Sequence, residues 1–168
     1  MGEIIQVEDS RRVFIKTLVE LAEKDKDIVL IIPDVGFNYI ELFSEKFPDR
    51  FFNFGVTEAS STIIAAAMAI AGKKPYIYSM INFVTFRVHE MVRNAVAMHK
   101  ANVKILGVKG SEKYKFLGFS HNLLRENEEI EFLEKLPGMK TYIPKSPEET
   151  REIIMKTYEN PGPAYIRL

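Results

Sequence analysis

The sequence predicts an α/β fold: a doubly wound, mainly parallel six-stranded sheet with helices on both faces. Three observations predict it. Six short apolar runs rich in Val, Ile, Tyr and Phe recur along the 168 residues, each too short for a helix and suited to a buried strand. An amphipathic segment or long loop separates each run from the next, as the crossovers of a parallel sheet require. Capping and stop residues bound the intervening segments at the places where helices begin and end.

In chain order, the first helical pattern covers residues 9–23, with Asp9 and Ser10 as caps and Val13, Leu18 and Leu21 placed for burial. The first strand is 28–33. A helix over 37–47 stops before Pro48, because the residue preceding a proline is pushed out of helical conformation. The second strand, 51–54, leads to a helix over 58–71 that is small, apolar and almost uncharged, capped by Thr57 and stopped by Gly72. Its stretch 63–71 reads as buried all round. Strand 75–81 and a long helix over 83–99 follow, then strand 103–108 and a loop over 109–122. A helix over 127–136 and strand 139–143 come next. Ser146-Pro147 reads as an N-cap with proline at the first helical position, opening a helix over 147–158. Strand 164–168 closes the sheet. No repeat, linker or low-complexity stretch interrupts this order, so residues 1–168 are expected to form one domain.

Apolar residues make up 46% and charged residues 27%, ordinary values for a globular protein, and 23 basic side chains balance 23 acidic ones. That balance gives no electrostatic ground for a nucleic-acid partner or an anionic membrane. The absence of cysteine excludes disulfides, thiolate metal sites and cysteine nucleophiles. No apolar run approaches the ~20 residues of a membrane span, and residues 1–12 lack a signal-peptide core. A cytoplasmic location is the expectation.

Ligands of open α/β sheets gather at the carboxyl ends of the strands. The loops of interest are therefore 34–38, 55–61, 82–86 and 109–122. Glu58 stands where a strand turns into the charge-free helix. It is either a first-turn carboxylate complementing the helix dipole, worth about 0.3–1 kcal/mol, or a partly desolvated group suited to sharing a proton. Phe83 and Phe86, at i and i+3, are expected on one helical face. They serve either as core or as a slot for a flat heteroaromatic ring. His121 lies in the long loop, where reacting groups are often carried. His89 and His99 read as solvated or core-edge histidines. Dinucleotide-binding, Walker, nucleophile-elbow and zinc-protease signatures are all missing.

Phe47-Pro48-Asp49-Arg50-Phe51-Phe52-Asn53-Phe54-Gly55-Val56-Thr57-Glu58 resembles a segment of the pyrimidine-binding domain shared by transketolase and deoxyxylulose-phosphate synthase. Gly72 with Pro75, Met80 through Phe86, Ser120-His121, Leu136 through Met139, Pro144 through Glu149, and Gly162-Pro163 with Arg167 resemble further segments of that domain, in the same order. The resemblance runs from about Arg11 to Leu168. It implies the thiamine-diphosphate-binding fold and gives roles to particular residues. Glu58 matches the glutamate that hydrogen-bonds the cofactor's pyrimidine nitrogen and so promotes removal of the thiazolium C2 proton. Phe83 and Phe86 match the aromatic wall for the pyrimidine, with Met80 nearby. Asp34 and Asn38 match positions near the thiazolium and the substrate. His121 matches a histidine that contacts substrate oxygens. Arg11 or Arg12, and Arg167, correspond to arginines that bind a sugar phosphate.

Departures from the family pattern bear on substrate choice. Ala59 replaces a common histidine or glutamine, Leu117 an acidic residue that reads a substrate hydroxyl, and Asn122 a glutamine. The GDG motif of the diphosphate-binding domain, which holds Mg2+, occurs nowhere in the chain, and the chain stops at its last expected strand. The resemblance therefore implies a separate diphosphate-binding subunit carrying GDG, with thiamine diphosphate shared across the interface and the assembly built on a two-fold axis as a heterotetramer. Helix 58–72, poor in charge, is the expected self-association face. The implied activity is two-carbon ketol transfer on sugar phosphates or nucleotide-linked sugars. An acyloin or deoxyxylulose-phosphate-type synthase, a 2-oxoacid decarboxylase subunit and a non-catalytic scaffold are the alternatives.

Overall fold

The computed structural model describes residues 9–35, 38–110 and 112–168. Residue 37, where the sequence starts its second helix, lies outside them. Six strands form one sheet: β1 (Ile28–Ile32), β2 (Phe51–Asn53), β3 (Lys74–Met80), β4 (Lys104–Val108), β5 (Lys140–Tyr142) and β6 (Ala164–Arg167). They pair in the order β2-β1-β3-β4-β6-β5, and every pairing is parallel. All six expected strands are present, displaced at their ends by no more than a residue or two.

Strands β1 and β4 are buried along their whole length, and β3 at all but its two ends, because both sheet faces are covered. Alternate residues of one strand serve opposite cores. On one face Leu30, Tyr76, Leu106 and Ile166 pack with Phe14, Ile15 and Leu18 of helix α1 (Ser10–Lys24), and with Ile153 and Ile154 of α7 (Pro147–Glu159). On the other, Ile31, Ile77, Ile105 and Tyr165 pack with Ala65 and Ala66 of α3 (Glu58–Ile70), with Val92 and Val96, and with Leu133 of α6 (Glu128–Leu133). Asp9 caps α1 by accepting from the Arg11 amide at 2.9 Å, and Ser146 caps α7 by accepting from the Glu149 amide at 3.1 Å.

Three helical expectations change. The segment over 37–47 contains only one short helix among the described residues, α2 (Glu41–Ser44), followed by a 3-10 turn at Pro48–Arg50. The long helix over 83–99 is broken into α4 (Ile81–Val84), α5 (His89–Met91) and a π-wound turn at Val92–Ala97. Thr85 is the break. Its hydroxyl bonds back to the Ile81 carbonyl at 2.7 Å, and its own backbone (φ −123°, ψ −80°) leaves the helix. The helix over 127–136 shortens to α6. In addition, α3 is not buried all round, since Ile63 and Ile70 on one side are 49% and 63% exposed.

Strand order reverses at β1. From it the chain runs outward to β2, then returns to place β3 on the other side. The crevice beyond the carboxyl ends of β1 and β3 is thus the switch point of this sheet. Asp34 follows β1, Met80 ends β3 and α4 continues directly from it, while the loop after β2 delivers Glu58.

Candidate functional site

Glu58 is the first residue of α3, and its side chain is only 5% exposed. Thr57 holds the N-cap position but does not cap. Its hydroxyl donates to the Phe54 carbonyl at 2.9 Å, so the turn is closed from the strand side. One Glu58 oxygen, Oε1, accepts Nη1 of Arg87 at 2.8 Å. The Arg87 guanidinium in turn lies 3.9 Å above the centre of the Phe83 ring. On Phe83, itself buried, the His121 imidazole packs edge-on with centroids 4.9 Å apart. Glu58, Arg87, Phe83 and His121 form a chain of direct contacts at the carboxyl end of the sheet.

The long loop is held over α4 by Asn82, whose amide donates to the Phe119 and Asn122 carbonyls at 2.7 and 3.1 Å. Gly110 lets the loop close. A methyl group there would stand 2.6 Å from the His121 carbonyl oxygen, inside any real contact distance. The His121 Nδ1 is 2.8 Å from the Ser120 hydroxyl, which fixes the ring's tilt. Asp34, in the left-handed region (φ +55°), accepts from the Asn53 amide at 3.2 Å, and Asn53 accepts from the Gly55 amide at 2.9 Å. Asp34 is thereby tied to the loop that carries Glu58. Asn38 also has positive φ (+74°) and donates its backbone N–H to Glu41. Both are non-glycine residues in a conformation that L side chains seldom adopt.

Other expected site residues are placed elsewhere. Phe83 and Phe86 do not share a face, because the helix ends between them; Phe86 packs on Phe132 of α6, centroids 5.2 Å apart. Met80 packs into the core on the α1 side of the sheet. Arg11 is bound by Asp9, with Nε 3.0 Å from Oδ2, and lies 4.7 Å over the Tyr39 ring. That pairing holds the Asp9 carboxyl below its usual range. Arg12 is exposed. Arg167, 6% exposed, is engaged by Glu129 and Glu126 at 2.8 and 2.7 Å. Both Arg11 and Arg167 are engaged by carboxylates. His89 packs edge-on against Phe132, and His99 lines a surface groove with Ile63.

Sequence reasoning missed Arg87. The signal was available: it is the lone cation in an otherwise apolar segment, four residues after Phe83. Reading 83–99 as one helix hid it, because an uninterrupted helix gives no reason to aim that side chain at α3.

A buried carboxylate and an aromatic face that share one planar guanidinium have the groups a flat nitrogen heterocycle needs: one to read a ring nitrogen, the other the ring plane. Among the described residues, no group of three or more His, Asp or Glu side chains is placed to hold a metal ion, and no helix is long and apolar enough to cross a membrane.

Comparison with known proteins shows what the whole chain is similar to. The chain is 35% identical over 159 residues to an apulose-4-phosphate transketolase subunit of Phocaeicola vulgatus, covering 94% of this chain and 50% of that protein. It is 33% identical to a putative transketolase C-terminal section of Methanocaldococcus jannaschii, covering 94% and 49%. A solved split gene transketolase, described as an inactive beta4 tetramer, superposes with a TM-score of 0.82 at 32% identity, covering 95% of this chain and 50% of that one. The transketolase of Campylobacter jejuni, 20% identical with a TM-score of 0.80 over 94% of this chain and 25% of that one, shares the fold. The chain thus spans about half the length of its split relatives. The sequence profile described as the transketolase pyrimidine-binding domain matches residues 8–168, and the chain belongs to that family.

Proposed function

We propose that this chain is the pyrimidine-binding subunit of a split, thiamine-diphosphate-dependent transketolase-like enzyme that transfers a two-carbon ketol unit between sugar substrates. One observation carries the reading: the buried Glu58 carboxylate is joined through the Arg87 guanidinium to the face of Phe83 in a chain of this family. Bound thiamine diphosphate would supply the carbanion chemistry that breaks and forms the carbon–carbon bond. The chain's own task is proton placement and shape. Glu58 holds or shares a proton with a ring nitrogen, shielded from water by its burial. Phe83 gives the ring plane a surface, and Phe86, directed to Phe132, lies at its margin. His121, which touches Phe83 edge-on, would meet substrate oxygens, and Asp34 and Asn38 would lie near the thiazolium and the substrate.

A separate subunit would hold the diphosphate through Mg2+ and a GDG motif, as relatives named as subunits or sections of a transketolase suggest. The whole chain would act as one pyrimidine-binding domain of a cytoplasmic enzyme. Self-association across a two-fold axis is supported by the exposed apolar side of α3 and by the beta4 tetramer of the solved split transketolase. Leu117 and Asn122, both in the loop beside His121, would set a donor preference different from that of housekeeping transketolase. An acyloin-type reaction is the second reading, supported by 33% identity to the 1-deoxy-D-xylulose-5-phosphate synthase of Listeria monocytogenes, which covers 89% of this chain and 24% of that protein.

The test is reconstitution with a diphosphate-binding subunit, thiamine diphosphate and Mg2+. Ketol transfer is expected only from the mixture. Glu58→Gln should lower kcat by roughly 10²–10⁴-fold, the range for a lost acid–base group. Unchanged turnover in that variant would remove Glu58 from the chemistry.

A further inference from the structure

Glu58 and Phe83, the two groups best suited to a nitrogen heterocycle, are already joined by a third. Arg87 reaches across from the turn after α4, 29 residues from Glu58, with Nη1 2.8 Å from Oε1. Its guanidinium carbon lies 3.9 Å from the centre of the Phe83 ring. The His121 imidazole also touches that ring, edge-on. The geometry points to Arg87 as an internal occupant of the ring slot, one that must be displaced before the cofactor's aminopyrimidine can bind.

The reasoning is chemical. A guanidinium and an aminopyrimidine are both flat, both rich in nitrogen, and both able to stack on a phenyl face while donating an N–H to a carboxylate. One aromatic face and one carboxylate oxygen cannot serve both at once. A buried carboxylate with no partner costs stability, so the chain keeps Glu58 paired until a heterocycle takes over the contact. The side chain of Arg87 is 44% exposed while that of Glu58 is 5% exposed. Arg87 can therefore be hydrated readily once a heterocycle replaces it at Glu58, whereas Glu58 stays in place. Arg87 sits in the irregular turn between α4 and α5, its N–H bonded to the Asn82 carbonyl at 3.0 Å.

The inference rests on the proposed function, and the experiment separates the two. Thiamine diphosphate with Mg2+ is titrated calorimetrically into the full chain reconstituted with a diphosphate-binding subunit. A slot open about a tenth of the time weakens the apparent affinity by about tenfold, so R87A should bind the cofactor roughly tenfold tighter than the wild type. R87K keeps a charge near Glu58 but not the flat stack, and should fall between them. The second readout is the Arg87 Nε–H resonance of the wild-type complex. Shifted by the Phe83 ring current without cofactor, it should move toward the position of a solvated arginine at saturation. Equal or weaker binding by R87A, or an Arg87 resonance unmoved at saturation, overturns the inference. If R87A fails to fold, R87K affinity and the resonance decide. No binding to the wild-type mixture sinks the functional reading and this inference with it. Binding by the wild type without a gain in the variants removes only the role of Arg87.

Discussion

Glu129, wholly buried at the start of α6, accepts Nε of Arg167 at 2.8 Å, joining the last strand to a helix 38 residues earlier in the chain. Tyr165 donates to the same oxygen at 3.2 Å, and Glu126 takes the other side of the guanidinium. Without Arg167 the wholly buried Glu129 keeps only the Tyr165 hydroxyl, and without Glu129 the buried Arg167 keeps only the rim carboxylate of Glu126. Removing one side should be far worse than removing both: Glu129→Ala or Arg167→Met alone is expected to cost about 3–5 kcal/mol, and the double replacement Glu129→Leu with Arg167→Met distinctly less than the sum. Urea denaturation of the three variants measures this. Additive losses would show that the two residues act independently.

Phe83 and Phe86 test how the break at Thr85 shapes the site. In an unbroken helix both rings would line one wall and both truncations would weaken cofactor binding alike. In the structure Phe83 faces His121 and Arg87, while Phe86 lies against Phe132. In the reconstituted enzyme, Phe83→Ala should raise the Kd for thiamine diphosphate by about tenfold, the scale of a stacking contact worth 0.5–1.5 kcal/mol plus lost burial. Phe86→Ala should change it less than about threefold. Equal effects would place both rings against the cofactor after all.

Legibility followed the physics of each segment. The strands could be read because residues buried on both sides, such as Ile28 through Ile32, leave an unbroken apolar run that no surface element shows. Helices α1 and α7 could be read because Asp9 and Ser146 satisfy their first amides from their own side chains. Glu58 and His121 could be singled out because each follows a strand at its carboxyl end. What stayed hidden depended on contacts between distant segments. Nothing local to Val84-Thr85-Phe86 announces that the Thr85 hydroxyl will turn back on Ile81, and with that break went the true direction of Phe86 and the importance of Arg87. The Arg167–Glu129 pair was equally invisible, since an arginine on a strand end gives no sign whether its partner will be a phosphate or a carboxylate.

Lys104 provides a pH test. Its ammonium lies at the amino end of β4 and donates to Asn102 Oδ1 and to the Gly162 carbonyl, each at 2.7 Å. Burial, with Lys140 and Lys74 adding repulsion, pushes its pKa down from 10.5 to about 8. A folded-state value below the unfolded one means that the charged form burdens the native state. That burden is fully present below pH 8 and is relieved as pH rises from 8 toward 10.5, where the unfolded chain binds more protons than the folded one. The stability of the wild type relative to Lys104→Met should therefore rise between pH 8 and 10, measured by thermal or urea unfolding at each pH. A flat difference across that window would mean that the oxygens around the ammonium fully replace its lost water.

The outer side of α3 is the remaining expectation to test. Ile63 and Ile70 are seven residues apart, two helical turns, and both face outward at 49% and 63% exposure. Beside Ile63 a groove of about 290 Å³ is lined by Glu90, Met91, Asn94, Ala95 and His99. Two large apolar side chains in line on one exposed helix face, next to a concavity, are disfavoured in water unless something covers them. A second copy of the chain related by a two-fold axis would bring the same face against itself. Ile63→Lys with Ile70→Lys should then lower the oligomeric state seen by light scattering, because four like charges would meet across the axis. Monomer stability should change by less than about 1 kcal/mol, since neither side chain is in the core. If the double variant keeps the wild-type mass, the two-fold contact lies on another face. If it unfolds instead, Ile63 and Ile70 support the fold of the single chain.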